Sequence, residues 1–343
     1  MKLFLLKLSF ANLERNVMVD SIEVDSVEIL VIVDNVTDSL STNPPDVEPE
    51  WRGLLSRGRI RVLSGSGICC AQHGLSLLLT ARIGDHKQTL LFDTGGHQET
   101  FTRNAEILGV DFDSIGDVVL SHGHWDHASG MVAAVEQASR LRGRARVNAY
   151  VHPGMFAQRG QMLPSGLVFP MENVPTPDQL RDAGATVICT DQPQSIGQGA
   201  FYLSGEIPRV TSYEKGLISQ VSRMKESDPW QPDPLVIDER YLSVNIKGRG
   251  QFIFSACSHA GIVNVLTHAK QEFPQTPIHG LMGGLHLSGA TEAIIPETVA
   301  DMQTFGLQLL APGHCTGWRA TSALEAAFKG QVVPLAVGKR FVL

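Results

Sequence analysis

Three histidines and an aspartate fall within six positions, His122-Gly123-His124-Trp125-Asp126-His127, directly after the apolar run Val118-Val119-Leu120. Imidazole nitrogens and carboxylate oxygens suit zinc and neighbouring divalent metals. At a strand end, the H-x-H-x-D-H spacing can aim the first two histidines at one metal. The Asp-His pair can then serve a second, about 3.5–4 Å away, the usual separation in two-metal hydrolytic sites. As an ordinary buried loop, the same cluster would leave polar groups repelling or unsatisfied. The stretch predicts a dinuclear metal site.

The hexapeptide resembles the signature of the metallo-β-lactamase fold, a large superfamily of zinc-dependent hydrolases. Further motifs occur in order: Gln72-His73-Gly74-Leu75-Ser76, Phe92-Asp93-Thr94-Gly95, Ser121-His122-Gly123-His124, Cys257-Ser258-His259-Ala260-Gly261, Gly284-Leu285-His286-Leu287 and Pro312-Gly313-His314-Cys315-Thr316-Gly317. Together they resemble the branch named after 7,8-dihydropterin-6-methyl-4-(β-D-ribofuranosyl)aminobenzene-5′-phosphate synthase, from about Ile29 to the C-terminus. The resemblance implies an α/β fold, a four-layer αββα sandwich. It also implies two divalent metal ions, zinc first, with manganese or iron as alternatives.

Histidines recur at three strand ends, and strand ends on one edge of a sandwich converge. The resulting assignment puts His122, His124 and His259 on one metal and Asp126, His127 and His314 on the other. The superfamily commonly has a bridging aspartate on a strand between the third and last histidine ligands. The corresponding strand end here is read as Ala256-Cys257-Ser258-His259, which leaves solvent or Cys257 to bridge. Asp126 would both ligate and orient a metal-activated hydroxide. His286 takes a catalytic or substrate-contacting role on the resemblance; its alternative is a packed strand histidine. His73 could reach the cleft rim, and Asp93 could orient a metal-binding histidine from behind.

These residues need strands to carry them. Val27 to Val33 reads as a buried strand, and Leu75 to Leu79 with Thr89 to Phe92 as a hairpin about Gly84-Asp85-His86. Ala128 to Arg142 has helical period. Strands are expected at Val147 to Val151, Ala185 to Cys189, Tyr241 to Ile246, Phe252 to Ala256, His279 to Met282, Leu307 to Leu310 and near Val332. Ser39 to Arg59 and the Pro- and Gly-rich Pro153 to Pro177 read as loops. Ile207 to Asp233 is longer than ordinary connections and is expected to form a lid over the cleft. Arg209, at its entry, is a fork-shaped cation suited to binding an anionic substrate.

The chain has 343 residues, 43% of them hydrophobic, and a formal charge of −7. That composition describes a globular core. The acidic balance argues against nucleic acid as the main partner, and no apolar run is long enough to span a membrane. Five cysteines without a C-x-x-C spacing fit a reducing compartment, so a cytoplasmic location is expected. Residues 1–26 read as an appended segment and 27–343 as the domain, with the lid at about 207–233. The expected function is metal-dependent hydrolysis of a small anionic ester, most simply a phosphoester or phosphodiester. Alternatives are the branch's condensation of a pterin methyl pyrophosphate with a ribofuranosylaminobenzene phosphate, lactone or β-lactam hydrolysis, and a non-catalytic metal-binding module.

Overall fold

The computed structural model of the protein describes residues 22–143 and 145–343. Two sheets form its centre. The first runs, in spatial order, through β10 (Ala185–Cys189), β7 (Val147–Val151), β6 (Ile115–Val119), β5 (His86–Phe92), β4 (Ser76–Ile83), β2 (Ser26–Val33), β19 (Arg340–Val342) and β3 (Val47–Glu48). The second runs through β11 (Gln194–Ile196), β12 (Phe201–Leu203), β15 (Leu242–Ile246), β16 (Gly250–Ser255), β17 (Ile278–Gly284) and β18 (Leu309–Gly313), with β1 (Glu23–Val24) pairing onto β15. A small third sheet joins β14 (Gln231–Pro232), β13 (Gln220–Arg223), β8 (Gln158–Met162) and β9 (Val168–Pro170).

Strand β2 shows why Ile29 to Val33 are apolar without interruption. Val27, Ile29 and Val31 enter the core between the two sheets, while Leu30 and Ile32 enter a second core against helices. A strand covered on both faces has no solvent side to mark with polar residues. Helices 98–108, 131–141 and 177–182 cover the first sheet through Phe101, Ala105, Met131, Val135 and Leu180. Helices 262–272, 295–302 and 318–327 cover the second through Val265, Leu266, Met302 and Leu324. The result is the expected four-layer αββα sandwich.

Topology places the site. In the first sheet β5, β6, β7 and β10 are mutually parallel neighbours, and in the second β16, β17 and β18 are. Parallel strands deliver their carboxyl ends to one edge, where open α/β sheets carry their ligands. The motif loops follow β5, β6, β16, β17 and β18.

Several local expectations are corrected. The helical run from Ala128 is two helices, 125–128 and 131–141, interrupted at Ser129-Gly130. A Cβ on Gly130 would lie 2.7 Å from Thr94 O, so the chain needs glycine at that close approach. Val332 makes only an isolated bridge to Leu310, and the final strand is β19. Ser39 to Arg59 contains β3 and a helix at 50–56. The two long polar connections are not structureless either, since they pair with each other as β13 on β8. Of the appended segment 1–26, residues 1–21 lie outside the described residues, and 23–26 contribute to both large sheets. Among the described residues, no helix is long and apolar enough to cross a membrane.

Candidate metal centre

After β6 the chain turns through His122-Gly123-His124 and enters the short helix 125–128. Gly123 is required by crowding: a Cβ there would lie 2.6 Å from both Met155 O and Arg159 Nη1. Its N–H donates to Asp238 Oδ2 at 2.8 Å, which holds the loop. His259 follows β16, and its backbone N–H and that of Ala260 donate to the buried Glu239 carboxylate at 2.8 and 2.6 Å. His314 follows β18, with its N–H on Asp34 Oδ1 at 2.8 Å. Asp93, Ser258, His286 and His314 all have positive φ, between 46° and 58°. Non-glycine residues held there store backbone strain, which clusters at functional sites.

The outward nitrogen of each ring decides what the inward one presents. Ser121 Oγ donates to Asp93 Oδ2 at 2.7 Å, so it accepts from His122 Nδ1 at 2.8 Å. His127 Nδ1 donates to Asp93 Oδ2 at 2.7 Å, and Ser121 N to Asp93 Oδ1 at 2.7 Å. His124 Nε2 donates to Gln220 Oε1 at 2.6 Å, and His314 Nδ1 to Asn35 Oδ1 at 3.1 Å. Lone pairs therefore point inward from His122 Nε2, His124 Nδ1, His127 Nε2 and His314 Nε2.

Two groups of donor atoms result. In one, His122 Nε2 lies 3.0 Å from His124 Nδ1 and 3.2 Å from His259 Nε2. In the other, Asp126 Oδ2 lies 3.3 Å from His314 Nε2 and 3.7 Å from His127 Nε2. The Nε2 atoms of His127 and His314 are buried and have no hydrogen-bond partner. Facing lone pairs on buried nitrogens repel unless a cation lies between them, so the donor set fits divalent metal. The structure thus brings together all six predicted ligands.

Electrostatics agree. Burial, reinforced by the neighbouring rings, holds His122 and His259 well below the usual histidine range. Burial brings His124 and His314 down to about 4. Burial opposes charge at His127 too, yet Asp126 and Asp93 push that ring up to about 9. Asp126 stays ionised despite burial, because His127, His314 and His73 hold it well below the carboxylate range. His122, His124, His259 and His314 are thus held neutral around an ionised carboxylate, as metal ligation requires, whereas His127 is drawn toward its charged form by the two carboxylates and would give up that proton to a metal.

The remaining predicted residues divide. His286 follows β17, lines the cavity and sets its ring, tilted by 51°, with its centroid 4.5 Å from that of His259. β17 lies between the strands bearing His259 and His314. It extends past the expected end at Met282 to Gly284. His73 is at the rim, as expected. Asn35 Oδ1 accepts from Gly74 N, so its Nδ2 donates to His73 Nδ1, and His73 Nε2 donates to Asp126 Oδ2 at 3.2 Å. Arg209 is not at the cavity. Its guanidinium donates to Ile207 O at 2.6 Å and to Leu235 O, spanning the base of its own loop.

Beside the ligands is a cavity of about 990 Å³, lined by His124, Asp126, His259 and His314 and by residues 213–219. Lys215 is the one Lys or Arg among its lining residues. The fork geometry that drew attention to Arg209 carried no information about its backbone partners. Gln220, which sequence reasoning missed, is fully buried on β13. Its Nε2 donates to Asp233 Oδ2 at 3.3 Å, and Arg159 joins Asp233 at 3.2 Å to Asp238. A lone glutamine in a polar stretch has no periodic signature to reveal such a role. Gln220→Ala is expected to weaken metal binding by about 10–100-fold, the usual cost of removing a group behind a ligand. Competition with a fluorescent chelator measures it, and parent-like affinity would return Gln220 to simple packing.

Comparison with known proteins follows the same lines. Residues 74–190 match the model described as the metallo-β-lactamase superfamily. The chain is 26% identical over 271 residues to 7,8-dihydropterin-6-methyl-4-(β-D-ribofuranosyl)-aminobenzene-5′-phosphate synthase of Methanocaldococcus jannaschii, covering 78% of this chain and 89% of that protein. An uncharacterised protein of the same organism is 26% identical over 259 residues, covering 74% and 88%. The crystal structure of Tm1679, a metal-dependent hydrolase of the β-lactamase superfamily, superposes with a TM-score of 0.67 at 22% identity, covering 92% of this chain and 98% of that one.

Proposed function

From a chain that carries a metallo-β-lactamase superfamily domain, we propose a dinuclear metal-dependent hydrolase of a small anionic ester, a phosphoester or phosphodiester. The observation that carries this reading is the facing pair of donor groups, with the unpartnered Nε2 atoms of His127 and His314 in one of them. His122, His124 and His259 would hold one metal; Asp126, His127 and His314 would hold the other. Bound metals supply Lewis acidity at a phosphoryl oxygen and a water nucleophile at neutral pH. Zinc suits this nitrogen-rich set best, with manganese and iron as alternatives.

The chain's own residues do the rest. Asp126 stays ionised and is held at Oδ2 by His73, so it would ligate as a carboxylate. His286, on the cavity wall beside His259, would hydrogen-bond a substrate oxygen. Residues 213–219 line the cavity and would act as a lid, and Lys215 among them would take the anion-binding part in place of Arg209. The cavity's volume is in the range of small-molecule sites.

A second reading has its own support, the 26% identity to a protein named as a synthase across most of both chains. Condensation at a pterin methyl pyrophosphate would use the same metals on phosphate oxygens. The test begins with metal analysis of protein prepared without chelator. Near two equivalents are expected, falling toward one in Asp126→Ala. A single equivalent that Asp126→Ala leaves unchanged would sink the dinuclear reading. The loaded protein is then given bis-p-nitrophenyl phosphate, a lactone panel, nitrocefin and the two condensation substrates. Chelator-sensitive phosphodiester turnover supports the hydrolase, whereas condensation product alone would hand the function to the synthase.

A further inference from the structure

Cys257 and Cys315 sit in this centre without an assigned part. Their sulfurs are 3.1 Å apart, and Cys257 is almost fully buried. The Cys257 sulfur falls within 4.8 Å of donor nitrogens of His122 and His127, in a set whose members all lie that close together. The same holds for a set made of Cys257, His314 and Cys315. One sulfur therefore reaches ligands assigned to both metals, His122 on one side and His127 and His314 on the other.

The charge balance points the same way. Two divalent cations bring four positive charges into a buried site, and Asp126 is the one carboxylate among the described residues grouped with these donors. The buried carboxylates of Asp93, Glu239 and Asp34 are engaged behind the ligands, on His127 Nδ1 and on the backbone of His259 and His314. Buried charge left unmatched is costly, and the further groups among these donors that could become anionic are the thiols of Cys257 and Cys315. The unpartnered Nε2 atoms of His127 and His314 are a separate sign that the space beside the sulfur takes a ligand-bound ion.

We propose that Cys257 is a seventh ligand, its thiolate bridging the two metal positions, with Cys315 in contact behind it. The inference rests on the metal centre proposed above. Binding replaces the S–H bond by sulfur–metal bonds and releases the proton to solvent, with no change of oxidation state. A soft bridge biases the site toward zinc, iron, cobalt or cadmium and away from manganese and magnesium.

Cobalt substitution of the full chain tests it. The parent and Cys315→Ser should show near-ultraviolet sulfur-to-cobalt charge transfer beside the visible d–d bands. Cys257→Ser should lose the charge transfer while keeping the d–d bands, because six other ligands remain. Charge transfer that survives in Cys257→Ser, or is absent from a cobalt-loaded parent, overturns the bridge and leaves the metal centre standing. A parent that takes up no cobalt removes both. Zinc X-ray absorption on the unmodified protein guards against a variant that fails to fold. It should show a sulfur scatterer at about 2.3 Å, and a fit by nitrogen and oxygen alone would reject the thiolate.

Discussion

Removing metal with a chelator is expected to abolish turnover and to lower the melting temperature by about 8–16 °C for each metal held at a thousandfold over its Kd. That occupancy contributes about 4 kcal/mol, and each kcal/mol moves Tm by about 2–4 °C in domains of 150–250 residues; this longer chain belongs at the lower end. The structural reason is that each donor group draws on both sheets. His122, His124, Asp126 and His127 follow β6 of the first sheet, while His259 and His314 follow β16 and β18 of the second. Only the folded sandwich assembles either group, so metal binds the native state alone. Calorimetry of loaded and stripped protein, with zinc added back, measures the shift. Equal melting with activity retained would show that the centre needs no metal.

Asp93→Ala is expected to weaken metal binding by about 10–100-fold and to destabilise the protein by about 2–6 kcal/mol. Asp93 is buried, and its carboxylate accepts from Ser121 N, Ser121 Oγ and His127 Nδ1, each at 2.7 Å. Truncation leaves at least the Ser121 amide and the His127 ring unpaired, at about 1–3 kcal/mol each. It also releases His122 indirectly, because the Ser121 hydroxyl that accepts from that ring loses its anchor. Denaturant melts and a metal titration separate the two losses. Normal affinity in a destabilised variant would confine Asp93 to a turn-forming role.

Much of this was legible because ligand-type residues sit next to strands that announce themselves. The apolar run before His122 fixed where the first motif loop must start, and parallel strands then brought His259 and His314 to the same edge. The misreadings have one physical source: partners chosen in three dimensions leave no local mark. Pairing of β8 with β13 joins two polar segments some sixty positions apart, with no alternation to set their register. Arg209 and Lys215 lie on the same polar stretch, and only the carbonyls of Ile207 and Leu235 decide which of them is occupied. β17 runs past the expected Met282 because Gly283-Gly284, which reads as a turn, is paired with β18.

The bond from Gln220 to His124 reaches beyond binding strength. Gln220 directly follows residues 213–219, which line the cavity, so the lining and the support of a ligand are one piece of chain. A chimera that borrowed this segment from a relative to change substrate would replace the acceptor behind His124 in the same exchange. Its metal retention would shift along with its selectivity. In this chain the two traits are inherited together, and divergence toward a new substrate must pass through sequences that still keep the metal.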